Sequence, residues 1–141
     1  MSGFKTITGR CYCGAVRLMA DAQPDMVSYC HCSDCRRVSG APVSAFAAFR
    51  EAVLRFEPTP GPPVSHAPGV TRWFCRDCGS PLAATYDYLP GQIYVPLGLI
   101  DQSAELPPSL HSHATSRLPW LHLADQLPRA EHSARDTLQN G

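Results

Sequence analysis

The chain has 141 residues, 44% of them apolar and 17% charged, and its 12 basic and 12 acidic side chains give a formal net charge of zero. This length suits one domain with a hydrophobic core and is short for two. The balanced charge provides no field that would attract nucleic acid or an anionic membrane surface, and no apolar run approaches the roughly 20 residues that span a bilayer.

Strands dominate the predicted elements. Fourteen prolines and ten glycines divide the chain into short segments and leave little room for long helices. Between them, β-branched and aromatic side chains occur in short apolar or alternating runs, a pattern typical of strands. The predicted strands cover residues 4–11, 15–20, 43–49, 53–56, 71–75, 82–86 and 92–97. The fold class is therefore mainly β.

Two segments are predicted to form short helical turns. The first covers residues 33–39, directly after the second cysteine cluster, and Ser33 is a candidate for its N-terminal cap. The second covers residues 118–127, where Pro128 ends it.

The C-terminal part has weaker signals. His111 and His113 alternate with Ser112, which predicts a strand that carries surface histidines. Residues 130–141 are polar and lack periodicity, so we expect a loose tail. The single domain then spans residues 1–141, with its core at about 3–129.

The thiols are expected to be reduced. The first ten residues have no apolar stretch behind a positive start, so they do not resemble a secretory signal, and we expect a cytoplasmic location. Seven cysteines also form an odd set that cannot be fully paired within one chain. A disulfide framework, the alternative, leaves one thiol over and needs an oxidising compartment.

The cysteines occur at spacings that suit metal binding. Residues two apart in a strand share one face, so the thiolates of a C-x-C pair can converge on one ion. The C-x-x-C spacing around a tight turn is typical of a zinc knuckle. The three clusters are Cys11 with Cys13, Cys30 with Cys32 and Cys35, and Cys75 with Cys78.

Ligand number decides how the clusters combine, because structural zinc takes four ligands in a tetrahedron. A pair with the triple gives five ligands, whereas the two pairs give four. The only intact partition therefore forms a structural zinc site from Cys11, Cys13, Cys75 and Cys78. It leaves Cys30, Cys32 and Cys35 with an open fourth position, the pattern of a catalytic zinc.

A second closed site is the alternative for the triple, with His31 or a distant histidine as its fourth ligand. His31 lies between two ligands, and its side chain should point away from theirs in an extended segment. We therefore expect His31 to be a neighbour of the site.

Arginines lie near the candidate ligands in sequence. Arg36 and Arg37 come directly after Cys35 and either offset the charge of the three thiolates or hold a substrate carboxylate, for which the planar guanidinium is suited. Arg72 and Arg76 flank Cys75, as Arg10 precedes Cys11. We expect these three to offset the charge of four thiolates.

The motifs resemble the family of glutathione-dependent formaldehyde-activating enzymes and centromere protein V, from about Gly9 to Arg129. The motifs that carry the resemblance are Gly9-Arg-Cys-Tyr-Cys-Gly-Ala-Val16, Cys30-His-Cys-Ser-Asp-Cys-Arg-Arg37, Arg72-Trp-Phe-Cys-Arg-Asp-Cys-Gly-Ser-Pro-Leu82 and Ile93-Tyr-Val-Pro-Leu-Gly98. The resemblance implies a Mss4-like fold of folded-over β-sheets, a β-tent. It also implies that the four-cysteine set matches the family's structural-zinc positions and the triple its catalytic-zinc positions.

The function predicted from these observations is a zinc-dependent carbon–sulfur lyase. The resemblance implies cleavage or formation of a thiol–aldehyde adduct such as S-hydroxymethylglutathione, so the expected partner is a small-molecule thiol or adduct, with glutathione as a candidate. Zinc at the triple would lower the pKa of the substrate thiol. Asp34 is either a proton shuttle or a solvated turn residue, and Trp120 either a core residue or a wall of the pocket.

Two other classes of function stay open. One is a non-catalytic zinc-binding module for protein or nucleic-acid interaction, against which the neutral charge speaks. The other is a thiol redox or metal-buffer protein, although no βαβ pattern surrounds the C-x-x-C pair.

Overall fold

A computed structural model describes residues 6–135 and Leu138 of the chain. In this part the chain forms nine strands, one α-helix and four single-turn 3-10 helices. The strands are β1 (Ile7–Arg10), β2 (Arg17–Ala20), β3 (Met26–Cys30), β4 (Ser44–Arg50), β5 (Leu54–Glu57), β6 (Val70–Phe74), β7 (Pro81–Tyr86), β8 (Gln92–Pro96) and β9 (Leu110–Ser112). The α-helix is α1 (Ser33–Ser39), and the 3-10 helices cover Glu51–Val53, Leu97–Leu99, Ser103–Glu105 and Ala114–Ser116. None of the described helices is long and apolar enough to cross a membrane.

The strands form two sheets. The smaller sheet has the antiparallel order β1-β2-β5, and the larger has the order β6-β7-β8-β4-β3-β9, in which only the β3–β9 pair is parallel. A side chain at Gly9 would bring its Cβ within 2.4 Å of the carbonyl oxygen of Leu99, so glycine allows β1 to approach the 3-10 helix Leu97–Leu99, which follows β8, closely. The prediction of a mainly β protein is confirmed.

The core lies between the sheets. Alternate residues of each strand face it, because side chains alternate across a strand. Ala47, Phe49 and Val95 of the larger sheet meet Ile7 and Leu18 of the smaller one, and all five are almost completely buried. Burial of side chains of this size stabilises the fold by about 1.5–3 kcal/mol each for the larger ones. The intervening residues of β4 and β8 consequently point to the opposite face of the larger sheet.

The local predictions hold for most elements, and the structure differs from them at three points: the N-terminal cap of α1, strand β3 and residues 118–127. Strands occur in all seven predicted segments and at residues 111–112, and α1 has the predicted range, but its N-terminal cap is Cys32 and not Ser33. Strand β3 was not predicted. Residues 118–127 form no helix. Guanidinium groups bind two of their carbonyls: Arg117 donates to that of Leu121, and Arg129 to that of Leu123.

The described part of the C-terminal segment is held in place. The backbone N–H of Ala130 donates to the carbonyl of His111, and the N–H of His113 donates to the carbonyl of His132. Ala134 is buried. These contacts differ from the loose tail predicted for 130–141, and residues 136, 137 and 139–141 lie outside the described part.

Candidate metal centres and the adjoining cavity

Four thiols from two distant segments meet at the edge of the smaller sheet. Cys11 and Cys13 come from the turn between β1 and β2, and Cys75 and Cys78 from the turn between β6 and β7. Their sulfur atoms all lie within 4.8 Å of one another. The Sγ–Sγ distances are 3.7 Å from Cys11 to Cys13 and 3.8 Å from Cys13 to Cys75. A tetrahedron with Zn–S bonds of about 2.3 Å has an edge of about 3.8 Å, so this donor set fits a zinc ion.

Backbone geometry preorganises these sulfurs. The N–H groups of Val16 and Ala15 point at the sulfurs of Cys11 and Cys13, at 3.3 and 3.4 Å. Gly79 has a φ of 80°, a left-handed conformation that suits glycine and closes the Cys75–Cys78 turn. Hydrogen bonds from Ser80 lower the pKa of Cys78 to about 6. Such donors favour the thiolate, which is the form that binds a metal.

The other three cysteines form a second group. Cys30 ends β3, Cys32 caps α1 and Cys35 lies in its first turn. The Cys30 sulfur is 3.4 Å from that of Cys32 and 3.2 Å from that of Cys35, slightly closer than a zinc tetrahedron requires. Among the described residues, no fourth ligand atom of His, Cys, Asp or Glu joins this group within 4.8 Å. Both cysteine groups could therefore hold a metal ion, and they have the sizes predicted from the sequence.

Hydrogen bonds among the three thiols shift their pKa values in opposite directions. Hydrogen bonds from Cys30 and then Cys35 lower the pKa of Cys32, and the hydrogen bond with Cys30 leads the causes that raise the pKa of Cys35. The backbone N–H of Cys35 also donates to the Cys32 sulfur at 3.2 Å. These contacts favour the thiolate form of Cys32, and a divalent cation would allow all three thiols to ionise.

Two cavities that share part of their lining adjoin this group, and we call them the apolar lobe and the thiol lobe. The apolar lobe, of about 160 Å³, is lined by Val38, Ala41, Phe74, Pro81, Ala83 and Pro96 among others. The thiol lobe, of about 150 Å³, is lined by Cys30, Cys32, Asp34, Tyr86, Tyr88 and His113 among others. The residues that line both lobes are Cys35, Phe46, Arg72 and Tyr94.

Strand register explains which side chains reach this cavity. Arg72 pairs with Ala84, Ala84 with Tyr94, and Tyr94 with Ala48, so the four form a row across β6, β7, β8 and β4. Paired residues point to the same face of a sheet. This face is the one opposite the core, and Phe46 joins it because it lies two residues before Ala48.

The predicted substrate-binding arginines lie elsewhere. The Arg36 guanidinium donates to the backbone carbonyls of His31 and Ser116, at 2.5 and 2.8 Å, and Arg36 and Arg37 line a separate surface depression. Neither is among the described residues that line the two lobes. Arg72 is the arginine that lines both lobes, although its place near Cys75 in sequence predicts a role at the four-cysteine site.

The other two candidate site residues, Trp120 and Asp34, also lie away from the centre of the cavity. Trp120 is 63% exposed, so it is neither core nor a cavity wall. Asp34 is exposed at the rim of the thiol lobe. Tyr94 and Arg72 were missed as site residues, although a charged residue inside the apolar run of β6 was a signal that could have found Arg72.

His31 and His111 form a buried polar chain on the other side of β3. His31 Nε2 is 2.8 Å from His111 Nδ1, and His111 Nε2 is 3.0 Å from an oxygen of Asp125. His31 thus points away from the thiols, as expected. His111 is 2% exposed, so the prediction of surface histidines is wrong at this position. The hydrogen bond from His111 is the main cause that lowers the pKa of Asp125 to about 2.

The hydrogen-bonded side chains of His31, His111 and Asp125 are expected to stabilise the fold. His111→Phe keeps an aromatic ring against Tyr29, whose centroid is 4.7 Å from that of His111, but leaves His31 and Asp125 without their shared partner. We expect a loss of about 2 kcal/mol in the free energy of unfolding, measured by urea denaturation. Tyr29→Phe preserves the stacking and is the control. Equal stability of both variants would contradict a structural role for the chain.

Comparison with known proteins gives three findings. A family model described as glutathione-dependent formaldehyde-activating enzyme matches residues 6–116. An uncharacterized lyase of Schizosaccharomyces pombe is 31% identical over 78 residues, which cover 55% of this chain and 56% of the relative, so the match spans little more than half of that protein. A crystal structure of a Rhodobacter sphaeroides protein, 21% identical, superimposes with a TM-score of 0.51 over 87% of this chain and 99% of that one, which indicates a shared fold.

Proposed function

The chain belongs to the glutathione-dependent formaldehyde-activating enzyme family, and on that basis we propose that it is a zinc-dependent carbon–sulfur lyase acting on thiol–aldehyde adducts. S-hydroxymethylglutathione is the model substrate. The observation that carries this proposal is the group of three thiols, without a fourth protein ligand in the described part, at the wall of a cavity. Three protein ligands with one open position are the arrangement of catalytic zinc sites.

The two cysteine groups have different roles in this proposal. Cys11, Cys13, Cys75 and Cys78 hold a structural ion, because four thiols complete the coordination and exclude substrate. Cys30, Cys32 and Cys35 hold the catalytic ion. Zinc bound there supplies an electrophile that lowers the pKa of the substrate thiol, so that the sulfur is stable as a thiolate.

Arg72 is the proposed partner of a substrate carboxylate. It is half-buried, and its guanidinium forms no ion pair with a carboxylate of the described residues. Its Cζ lies 5.8 Å from the ring centroid of Tyr86, a contact that orients the guanidinium over the cavity wall. Arg36 and Arg37 take the other predicted role, to offset the charge of the three thiolates, because they follow Cys35 on α1 and lie outside the cavity.

Metal removal tests the proposal. We expect the purified protein to contain about two zinc ions per chain and to cleave S-hydroxymethylglutathione to glutathione and formaldehyde. A brief chelator treatment should remove the three-cysteine ion first, because fewer ligands hold it, and should abolish cleavage while the circular dichroism spectrum is retained. One equivalent of zinc should restore activity.

Two outcomes would contradict the proposal. The first is zinc-loaded protein that cleaves no thiol–aldehyde adduct. The second is chelated protein with about one zinc ion per chain and undiminished activity, because cleavage would then not depend on the three-cysteine site.

A further inference from the structure

The hydroxyl of Tyr94 is a buried polar group without a hydrogen-bond partner among the described residues. The residue itself is only 7% exposed. Leaving a buried hydroxyl unpaired is costly, and most buried polar groups in proteins have a partner. An unpaired group on a residue that lines a cavity therefore suggests that a ligand supplies the missing contact.

Tyr94 belongs to the cavity that the three thiols also line. Tyr94 lines both lobes of the cavity, together with Cys35 and Arg72. Its ring is held edge-on by Phe46 and Tyr86, with centroid distances of 6.2 and 5.6 Å. Aromatic contacts on two sides fix the direction of the hydroxyl, as preorganised catalysis requires.

The environment keeps the phenol protonated. Burial raises the pKa of Tyr94, and negative charge on Tyr88, Cys30 and Cys35 raises it further. The group is therefore a hydrogen-bond donor at neutral pH. Tyr88, in contrast, is 46% exposed, so water can satisfy its hydroxyl.

We propose that Tyr94 is a catalytic residue whose Oη–H donates a hydrogen bond to the oxygen of the transferred aldehyde carbon. This inference rests on the proposed lyase function. In the direction of addition, the thiolate electron pair forms the carbon–sulfur bond, and the π pair of the carbonyl moves to its oxygen. The alkoxide that develops accepts the hydrogen bond from Tyr94 and then takes a proton from solvent water. Cleavage runs through the same steps in reverse, and Tyr94 keeps its own proton throughout.

Tyr94→Phe in the zinc-loaded protein tests this role. Loss of one preorganised donor to a developing oxyanion typically reduces the rate by on the order of 10²–10³-fold, and we expect kcat/KM for S-hydroxymethylglutathione to fall by that factor. The melting temperature should not decrease, because the variant removes an unpaired hydroxyl and no hydrogen bond. The Kd for S-methylglutathione should stay within about twofold, since that ligand carries no oxygen on the transferred carbon.

Tyr29→Phe is the matched control. It makes the same chemical change in β3, and Tyr29 does not line either lobe among the described residues. It should leave kcat/KM, melting temperature and the Kd for S-methylglutathione unchanged.

The outcomes separate the two proposals. Wild-type activity in Tyr94→Phe would overturn the role of Tyr94 and leave the lyase function intact. A lowered melting temperature together with weaker binding of S-methylglutathione would assign Tyr94 a structural role and also overturn the inference. Zinc-loaded wild-type protein without activity toward any thiol–aldehyde adduct would overturn the lyase function, and the role of Tyr94 with it.

Discussion

Cys32→Ser is expected to reduce lyase activity by on the order of 10³-fold or more while the protein stays folded. Serine is a poor zinc ligand, so the three-cysteine site should lose its ion and elemental analysis should show about one zinc per chain instead of about two. Cys32 is also the N-terminal cap of α1, where its sulfur accepts from the N–H of Cys35. Serine is a preferred residue at this position, so the substitution preserves the cap.

The choice of Cys32 matters because Cys30 and Cys35 are buried, whereas Cys32 is half-buried. Substitution of either buried cysteine would confuse loss of metal with loss of packing. Ser33→Ala changes an exposed residue in the same turn and is the control, which should keep both zinc ions and full activity. Activity retained in Cys32→Ser after loss of one ion would rule out a catalytic role for this site.

Cys75→Ser is expected to have the opposite phenotype and to destabilise the whole domain. Cys13 and Cys75 are 62 residues apart in sequence, and their group joins the β1–β2 turn to the β6–β7 turn. Cys11 and Cys75 are also buried in a small cluster with Val16 and Leu82. Loss of the ion removes a long-range crosslink, and the three remaining thiols, of which Cys11 is buried, lose the charge that compensated them.

The expected loss is about 3 kcal/mol or more, which corresponds to a melting temperature lower by on the order of 10 °C for a chain of this size. Differential scanning calorimetry with zinc analysis measures both effects. Cys32→Ser is the crossed control, because each variant loses one ion and only Cys75→Ser should lose much stability. Equal melting temperatures for Cys75→Ser and wild type would show that the four-cysteine site does not hold the fold together.

Local signals in the sequence were sufficient for much of the fold. Proline and glycine positions separate the strands, and the range of α1 follows from its place after the cysteine cluster and before Gly40, whose φ of 74° ends the helix. Strand β3 was missed because its last residue belongs to the cysteine cluster, which obscured the alternation of residues 26–30. Residues 118–127 have the composition of a short helix but form none, and long-range contacts hold this segment instead: Arg129 donates to the carbonyl of Leu123 and Asp125 accepts from His111.

The grouping of the cysteines was determined by the sequence alone. It depends on the spacing within each cluster and on the ligand number of the ion, and both are known before folding.

The tertiary structure decided which side chains face the three-cysteine site. Arg72 and Tyr94 reach the cavity because the registers of β6, β7, β8 and β4 place them in one row. A shift of one residue would turn either side chain to the core face, and no local pattern specifies the register between strands that are distant in sequence. The same reason explains why adjacency in sequence pointed to Arg36 and Arg37, which α1 directs away from the cavity.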